Sequence, residues 1–361
     1  MNFVIRTEET TGVPMAMWDS LPIFFRQAAE PIRRWLRDPD VIEICVNRPG
    51  EVWIEALGKP GMERFDVPEL TQDAVERLAQ HVASQTHQAV NASMPLLSAA
   101  MPHGERFQGV LSPATPWGGA FSIRKQVIAN LSLDDYERRG AFENVRLRGP
   151  RHVDLDHLPD VEQELAVMMR DGSPAGVKAV LGFAVRNHVT MIISGGTSSG
   201  KTTFLNAMLK EVPDTERVIS IEDTAELKPP QPNWLSLLAS KGGQGAAQVS
   251  IQSLLESSLR LRPDRLFLGE IRGAEAATFL QAVNTGHPGS LTTLHADSSY
   301  GAFERLALMT LQSDMKLTKA EILEYVQSVV PIVVQLRRRP TRGVAEIFFR
   351  GFTRHTGGGE P

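Results

Sequence analysis

The sequence predicts an α/β protein in which a smaller α+β domain precedes a larger domain built on a parallel sheet. The chain has 361 residues, which is enough for two domains at roughly 100 to 200 residues each. Strand and helix patterns alternate through its second half, as in parallel sheets joined by crossover helices. A glycine-rich phosphate-binding pattern lies between one of these strands and the helix that follows it.

The composition excludes several classes of protein. Apolar residues make up 42% and charged residues 22%, values typical of folded domains rather than disordered or membrane-embedded chains. The net charge of -4 gives no electrostatic sign of nucleic-acid binding, so direct nucleic-acid binding is not expected. A single cysteine, Cys45, rules out intrachain disulfides and multi-cysteine zinc sites. No secretory signal and no apolar span of about 20 residues is visible, which predicts a cytoplasmic protein.

Residues 1 to 128 predict the α+β domain. An arginine-rich stretch near 21 to 37 has a helical pattern, and the runs VIEICVN and EVWIEAL flank a turn, which predicts a hairpin. Apolar residues recur at helical spacing over 70 to 85. Strand-like runs follow near 96 to 101, 107 to 112 and 119 to 124.

Residues 129 to 160 predict an interdomain linker, because the pattern gives way to mixed charge, glycine and proline. At roughly 3.3 Å per extended residue, such a linker spans on the order of 100 Å. An exchange of domains between neighbouring subunits is therefore geometrically open.

Residues 161 to 361 predict the parallel-sheet domain. Helices are expected near 161 to 187, after Thr202, after Ser250 and over 274 to 285. The apolar runs between and after these helices predict the strands: VTMIIS, RVISIED, RLFLGE, SLTTLHA, VVPIVVQL and VAEIFF.

The run GGTSSGKTT has the P-loop spacing, directly after an apolar strand and before a helix. In such a loop, glycines let backbone N–H groups turn toward the phosphates, the lysine reaches the β- and γ-phosphates, and the threonine hydroxyl binds Mg²⁺. A glycine-rich turn without a ligand is the alternative. We predict that ATP binds to Gly195, Gly196, Thr197, Ser198, Ser199, Gly200, Lys201, Thr202 and Thr203.

Hydrolysis also needs a carboxylate near the metal and a group that positions water. Glu270 follows one apolar strand and Glu222 ends another. Since the carboxyl ends of parallel strands meet at one edge of a sheet, both are expected beside the P-loop. The alternative to a catalytic role is an exposed strand-end glutamate for Glu270 and a solvated acidic turn for Glu222. His287 and His295 flank a further strand, where a histidine can bond a γ-phosphate.

Four motifs in order resemble the Walker A motif, Asp box, atypical Walker B motif and His box of the secretion traffic ATPases. They are GGTSSGKTT, RVISIEDTAEL, LRLRPDRLFLGEIRG and GHPGSLTTLHA. These ATPases are the hexameric motors of type II and type IV secretion and of pilus assembly. The runs GERF and SIRK in the first third resemble the N-terminal module of that family.

The resemblance implies a RecA-like ATPase domain, a smaller N-terminal domain, and stacked hexameric rings that bind ATP and Mg²⁺ between the domains. It implies that Lys201 and Thr202 hold phosphate and Mg²⁺. Glu222 would polarise the attacking water, Glu270 would support the metal and the water, and His295 would sense the γ-phosphate.

The resemblance also implies that two arginines of the first domain approach the terminal phosphates, Arg106 in GERF and Arg124 in SIRK. Surface salt bridges are the alternative for both side chains. The long charged stretch from 129 to 160 leaves open which subunit supplies them.

Two departures narrow the resemblance. The chain lacks the four-cysteine zinc module typical of type II secretion motors, and it lacks the string AIRNLIRE typical of pilus retraction motors. It is therefore most similar to the small hexameric ATPase of type IV secretion. That similarity implies other cytoplasmic and inner-membrane subunits as partners, and a position at the cytoplasmic face of the inner membrane.

The stretch from 31 to 37 offers one hypothesis for membrane contact. Ile32, Trp35 and Leu36 lie on one side of a short helix and the arginines on another, an arrangement that can rest on anionic lipid. A short domain helix with a solvated basic side is the alternative.

Two other functions remain open from the sequence. A nucleic-acid-dependent motor has the same core fold, and nucleic-acid stimulation of ATP turnover that is lost with rising salt would favour it. A nucleotide-binding assembly platform with little turnover is the second, and single-turnover cleavage of the γ-phosphate would distinguish it from a motor.

Overall fold

The protein divides into two units along its chain. The computed structural model describes residues 18, 20–56, 59, 61–125, 130–150, 153–239, 249–313, 316–338 and 341–352. The described residues up to 125 form the first unit, and those of 130–239 and from 249 onward form the second. Each unit has its own buried apolar core.

The first unit is an antiparallel sheet with helices. Its described strands lie in the order β3-β2-β1-β6-β5-β4. The elements are α1 Ile23–Ala29, a 3-10 turn Glu30–Ile32, α2 Arg33–Arg37, β1 Val41–Val46, β2 Glu51–Ala56, β3 Met62–Asp66, α3 Gln72–Gln85, β4 Leu96–Ala100, β5 Arg106–Val110 and β6 Ala120–Arg124.

The predicted hairpin and the predicted helix over 70 to 85 are both present. β1 and β2 pair antiparallel, with Cys45 opposite Trp53, and Gly50 supplies the positive φ of +89° that the turn requires. The helix α3 begins after Thr71, whose side chain accepts a hydrogen bond from the Ala74 amide. The apolar side of α3 is buried in the first core.

The arginine-rich stretch differs from the expectation of one helical segment. The 3-10 turn that contains Pro31 separates α1 from α2, because proline lacks the N–H that a continuous helix needs. Ile32, Trp35 and Leu36 are buried in the first core. The apolar side of this helix is therefore covered by the protein and cannot enter a membrane. A membrane contact at this helix would depend on its arginines alone.

The second unit is built on a mainly parallel sheet. Its described strands lie in the order β10-β9-β11-β12-β8-β13-β14-β7. The elements are α4 Leu133–Arg138, β7 Arg146–Arg148, a 3-10 turn Leu155–His157, α5 Asp160–Met168, α6 Pro174–Arg186, β8 Met191–Ser194, α7 Lys201–Leu209, β9 Val218–Glu222, β10 Trp234–Leu238, α8 Ile251–Ser258, β11 Arg265–Leu268, α9 Glu275–Asn284, β12 Leu291–Leu294, α10 Ser299–Thr310, α11 Lys319–Val329, β13 Ile332–Arg337 and β14 Gly343–Phe349.

The central strands are buried on both faces, which explains their continuous apolar sequences. Along β8, Met191 and Ile193 pack into the core that α5, α6 and α7 cover, whereas Ile192 packs into the core that α8 to α11 cover. The alternation follows from the two-residue period of a strand. The parallel sheet with helices on both faces confirms the predicted α/β class.

The stretch predicted as an interdomain linker has regular structure in the described residues from 130 onward. It carries α4, β7 and a 3-10 turn, and β7 pairs with β14, where Arg148 lies opposite Phe348. The side chain of Arg148 also bonds Glu346 at 3.1 Å. The charged residues of this stretch lie in and beside α4, a short edge strand and a 3-10 turn, and the pairing partner of the strand lies far away along the chain.

Among the described residues, no helix combines the length and the apolar content that a membrane crossing requires.

Candidate active site

The P-loop connects β8 to α7 in a conformation that its sequence allows. A Cβ at Gly195 would lie 2.4 Å from the Ser199 Oγ, so a larger residue there would displace the Ser199 side chain. Ser198 and Gly200 have positive φ angles of 60° and 91°. A Cβ at Gly196 would meet nothing within 4 Å, so the loop is open on that side. The described loop can therefore turn its amides around an anion.

Lys201 begins α7 and reaches back across the loop. Its side chain is buried, and Nζ donates hydrogen bonds to the carbonyl oxygens of Gly195 at 3.1 Å and Gly196 at 3.4 Å. Both bonds hold a cation at the place where the loop would carry phosphates.

The parallel strands bring the predicted acids and histidine to the same edge of the sheet. β9, β11, β12 and β8 are successive neighbours, and their carboxyl ends lead to Glu222, Glu270, His295 and the P-loop. A Cβ at Gly269 would lie 3.2 Å from the Glu222 Cγ, which places the end of β11 directly against Glu222. The Gly195 amide bonds the Leu294 carbonyl at 3.3 Å, which joins the P-loop to the end of β12.

Glu222 is buried without a cationic partner among the described residues, with 2% of its surface exposed. Its Oε1 accepts hydrogen bonds from the amides of Glu226 and Leu227, both at 2.9 Å. Its Oε2 is buried and has no hydrogen-bond partner in the described structure. Burial raises the pKa of Glu222 to about 7, although the two amide bonds act in the opposite direction. A carboxyl with a pKa near 7 is suited to take a proton at neutral pH.

Glu270, unlike Glu222, has a cationic partner. The Arg272 Nε donates to its Oε2 at 2.8 Å, and the His295 Nε2 lies 2.8 Å from its Oε1. That oxygen is buried and accepts no hydrogen bond in the described structure, and the His295 ring lies against it. Glu270 therefore lies between the Arg272 guanidinium and the His295 ring, and its Oε1 accepts no hydrogen bond in the described structure.

His295 lies between Glu270 and the P-loop lysine. The Lys201 Nζ is 3.4 Å from its Nδ1 and 3.3 Å from its Nε2. Burial lowers the pKa of His295, and the charges of Lys201, Arg272 and Arg305 act in the same direction against that of Glu270. The imidazole is therefore neutral at neutral pH and can both donate and accept a hydrogen bond.

The other histidine of this segment lies at the opposite end of β12. His287 precedes the strand, and its Nδ1 lies 3.0 Å from the carbonyl oxygen of Pro263. It shares no contact with the P-loop in the described structure, in agreement with a structural role.

Arg272 was missed as a site residue at the sequence level. Its Nη1 donates to the Asp223 Oδ2 at 2.9 Å while its Nε bonds Glu270, so one guanidinium joins the carboxylates that follow β9 and β11. The only signal was its place two residues after Glu270 in GEIRG. The distance to Asp223 depends on the pairing of β9 with β11, which the local sequence does not reveal.

Arg106 and Arg124 belong to the first unit. They lie directly opposite each other on β5 and β6, and Glu43 on β1 lies opposite Arg124 on the other side. The runs GERF and SIRK are therefore neighbours at one end of the antiparallel sheet.

The residues at the strand ends fit a nucleotide with Mg²⁺. Among the described residues, no group of three or more His, Cys, Asp or Glu side chains is arranged to hold a metal ion alone. Mg²⁺ in nucleotide sites takes one or two protein oxygens and completes its shell with phosphates and water. The hydroxyl of Thr202 and the carboxylate of Glu270 are hard oxygen donors of that kind.

The chain is similar to a known protein family and to known sequences. Residues 26–342 match the family described as type II/IV secretion system protein. The chain is 37% identical over 330 residues to the type IV secretion system protein VirB11 of Bartonella henselae, which covers 90% of this chain and 92% of that protein. It is 36% identical over 337 residues to the type IV secretion system protein PtlH homolog of Bordetella bronchiseptica, covering 91% and 94%.

Solved structures show a related fold. A crystal structure of the pilus retraction motor PilT with bound ADP matches with a TM-score of 0.53 at 17% identity, covering 91% of this chain and 83% of that chain. At this identity the likeness concerns the fold alone. It agrees with the RecA-like architecture expected for the second unit.

Proposed function

Because the chain belongs to the type II/IV secretion system protein family, we propose that it is the Mg²⁺-dependent ATPase motor of a type IV secretion machine, acting as a homohexameric ring. The protein is an ATP-hydrolysing enzyme of this family. One observation supports the motor proposal most strongly. The P-loop, a buried carboxyl without a cation, a carboxylate beside an arginine, and a neutral histidine all lie at one edge of the sheet.

In the proposed reaction, the P-loop amides and Lys201 hold the phosphates of ATP, and Glu222 orients the attacking water. The water oxygen forms a bond to the γ-phosphorus, and the bond from that phosphorus to the β–γ bridging oxygen breaks. The water proton passes to the Glu222 carboxylate, whose unpartnered Oε2 can accept it, and ADP and phosphate are the products. The raised pKa of Glu222 supports this step, because a base works best when its pKa lies near the working pH.

Thr202 and Glu270 are the proposed protein ligands of Mg²⁺, Glu270 directly or through water. The ion, when bound, neutralises charge that develops on the phosphate oxygens. Arg272 holds Glu270 in place through a bond to its Oε2.

His295 is the proposed sensor of the γ-phosphate. Its ring lies within 3.3 Å of the Lys201 Nζ, so a phosphate that draws the lysine forward changes the contact of the lysine with the ring. The same ring lies against Glu270, so the change reaches the carboxylate that supports the metal.

We further propose that the two units act as separate domains and that Arg106 and Arg124 stabilise the charge of the terminal phosphates during hydrolysis. Arg106→Ala and Arg124→Ala should leave the affinity for ATP largely intact while turnover falls, since such an arginine is worth up to about 10³ to 10⁵ in rate. Nucleotide binding and steady-state turnover are the measurements. Turnover at the parent rate in either variant would place that arginine outside the active site.

The other machine subunits in the cytoplasm and inner membrane are the proposed partners, and the cytoplasmic face of the inner membrane is the proposed location. The family membership and the type IV relatives support this assignment. Peripheral membrane contact would use the charge of Arg33, Arg34 and Arg37, because the apolar side of α2 is buried.

The test of the function is ATP turnover with and without Mg²⁺, measured against protein concentration alongside mass-resolved sizing. A ring motor should gain specific activity as the hexamer forms. Lys201→Ala removes the charged contact to the phosphates and should abolish turnover while the fold is retained, as circular dichroism would check. Activity that is independent of assembly would exclude the ring, and normal turnover by Lys201→Ala would exclude the P-loop assignment.

A further inference from the structure

A buried asparagine on the P-loop helix holds the loop that follows β9. Asn206 is 6% exposed and lies one turn after Thr202 on α7. Its Nδ2 donates to the Glu226 carbonyl at 3.0 Å, and its Oδ1 accepts from the Lys228 amide at 2.8 Å. The side chain is therefore hydrogen-bonded to the loop at two points.

The gripped segment is the one that bonds the proposed base. The carbonyl of Glu226 and the amide of Leu227 belong to one planar peptide unit, and in a trans peptide the C=O and N–H point in opposite directions. Asn206 holds the C=O, and the N–H points to the Glu222 Oε1 at 2.9 Å. Fixing one end of this peptide plane fixes the direction of the other.

The same amide is tied to the phosphate-binding turn. The Nδ2 of Asn206 also donates to the carbonyl oxygen of Thr202 at 3.1 Å. A path of hydrogen bonds thus runs from the first turn of α7 through Asn206 and the 226–227 peptide to Glu222.

A second buried amide ties the same loop to the same helix without touching that path. Gln231 is 3% exposed, and its Nε2 donates to the carbonyl oxygens of Leu209 and Val212, both at 2.9 Å, where α7 ends. It gives a matched comparison, since its removal also costs two donor bonds from a buried side-chain amide.

We infer that Asn206 is a positioning residue that sets the orientation of Glu222 through the 226–227 peptide and couples it to the P-loop helix. The inference rests on the proposed role of Glu222 as the base. Replacing Asn206 should therefore lower kcat and leave nucleotide binding almost unchanged, because Asn206 is not among the P-loop residues proposed to hold the phosphates. Losing Gln231 should have no such effect on kcat.

The test compares Asn206→Leu, Asn206→Asp and Gln231→Leu in the full chain. Asn206→Asp keeps the shape and the acceptor for Lys228 but loses both donor bonds, and it serves if the leucine variant does not fold. We expect kcat to fall roughly 10- to 100-fold in the Asn206 variants with KM within about threefold, the scale of a small misplacement at an active site. Gln231→Leu should stay within about threefold of the parent kcat.

Amide hydrogen exchange gives a readout that does not depend on activity. The exchange of the Leu227 amide should accelerate about tenfold or more in the Asn206 variants and remain near the parent rate in Gln231→Leu. Unchanged Leu227 exchange in the Asn206 variants, or an equal loss of kcat in Gln231→Leu, would overturn the inference. If Glu222→Gln itself keeps the parent kcat, the role of Glu222 fails, and the exchange data still decide whether Asn206 holds the loop.

Discussion

The carboxyl ends of β9 and β11 each lead to one glutamate, and the two glutamates differ in every contact that matters for chemistry. Glu222 is 2% exposed, accepts only two backbone amides, and has one oxygen with no partner among the described residues. Glu270 faces the Arg272 guanidinium and the His295 ring. Neighbouring strands of one sheet thus present a buried carboxyl without a cationic partner among the described residues and, about one residue away in register, a charged cluster.

We propose that this difference divides the work of hydrolysis between two chemically identical side chains. A buried acid without a cation nearby has a raised pKa and can accept a proton, whereas an acid beside a guanidinium is suited to support a metal. The sheet puts both acids at one edge, and the groups around each determine what it does. The following predictions test that division.

The largest expected effect is on turnover. Glu222→Gln keeps size and hydrogen bonding but removes the basicity, so ATP should still bind while kcat falls by roughly 10² to 10⁴. Glu270→Gln should also lower kcat, through weaker support of metal and water, and its loss should be eased by a higher Mg²⁺ concentration. Steady-state kinetics over a Mg²⁺ series and nucleotide binding are the measurements.

The opposite result would reassign the base. If Glu222→Gln turns over ATP near the parent rate while Glu270→Gln is inert, the catalytic carboxylate is Glu270. The buried acid would then have a structural role only.

A smaller effect is expected on stability. The pKa of Glu222 is about 7 in the folded protein, above its ordinary value of 4.5, so the folded state binds its proton more tightly than the unfolded state does. Stability is therefore highest below the unfolded value and falls as pH rises toward the folded one. When the pH is raised from about 5 to about 8, the free energy of unfolding of Glu222→Gln should increase by roughly 2 to 3 kcal/mol relative to that of the parent.

Denaturant unfolding of both proteins at the two pH values measures this difference. Glu270→Gln is the matched control, because it removes an acid that faces the Arg272 cation and offers no comparable relief from burial. A Glu222→Gln variant whose stability relative to the parent does not change with pH would contradict the buried, unpaired state of this carboxyl.

The sequence predicted this edge of the sheet well because its signals are local. An apolar run followed by an acid, and a glycine-rich loop before a helix, each lie within about ten residues, so Glu222, Glu270, His295 and the P-loop could be placed at strand ends. The class of the fold followed from the same alternation.

The parts that the sequence did not predict depend on distant partners. β7 has charged residues and forms a strand only because β14 lies beside it. β10 and the helices α10 and α11 were not predicted either, and β10, a strand with exposed positions at an edge of the sheet, lacks the continuous apolar pattern of its buried neighbours. The burial of the Glu222 Oε2 and the bond from Arg272 to Asp223 follow from strand register, which no short window of sequence contains.

The smallest expected effect concerns the guanidinium that joins the two strand ends. Arg272→Gln leaves Asp223 and Glu270 without their shared cation, so the two acids repel each other and the phosphates. We expect kcat to fall about tenfold and KM for ATP to rise severalfold. Arg272→Lys keeps the charge but lacks the planar fork that reaches both acids, so it should recover part of the loss.

Arg186→Gln is the control, because Arg186 pairs with Glu211 on the surface and should leave kcat unchanged. If Arg272→Gln matches the parent in both constants, the charged cluster at the end of β11 does not depend on Arg272, and the contrast between Glu270 and Glu222 reduces to the depth at which each is buried.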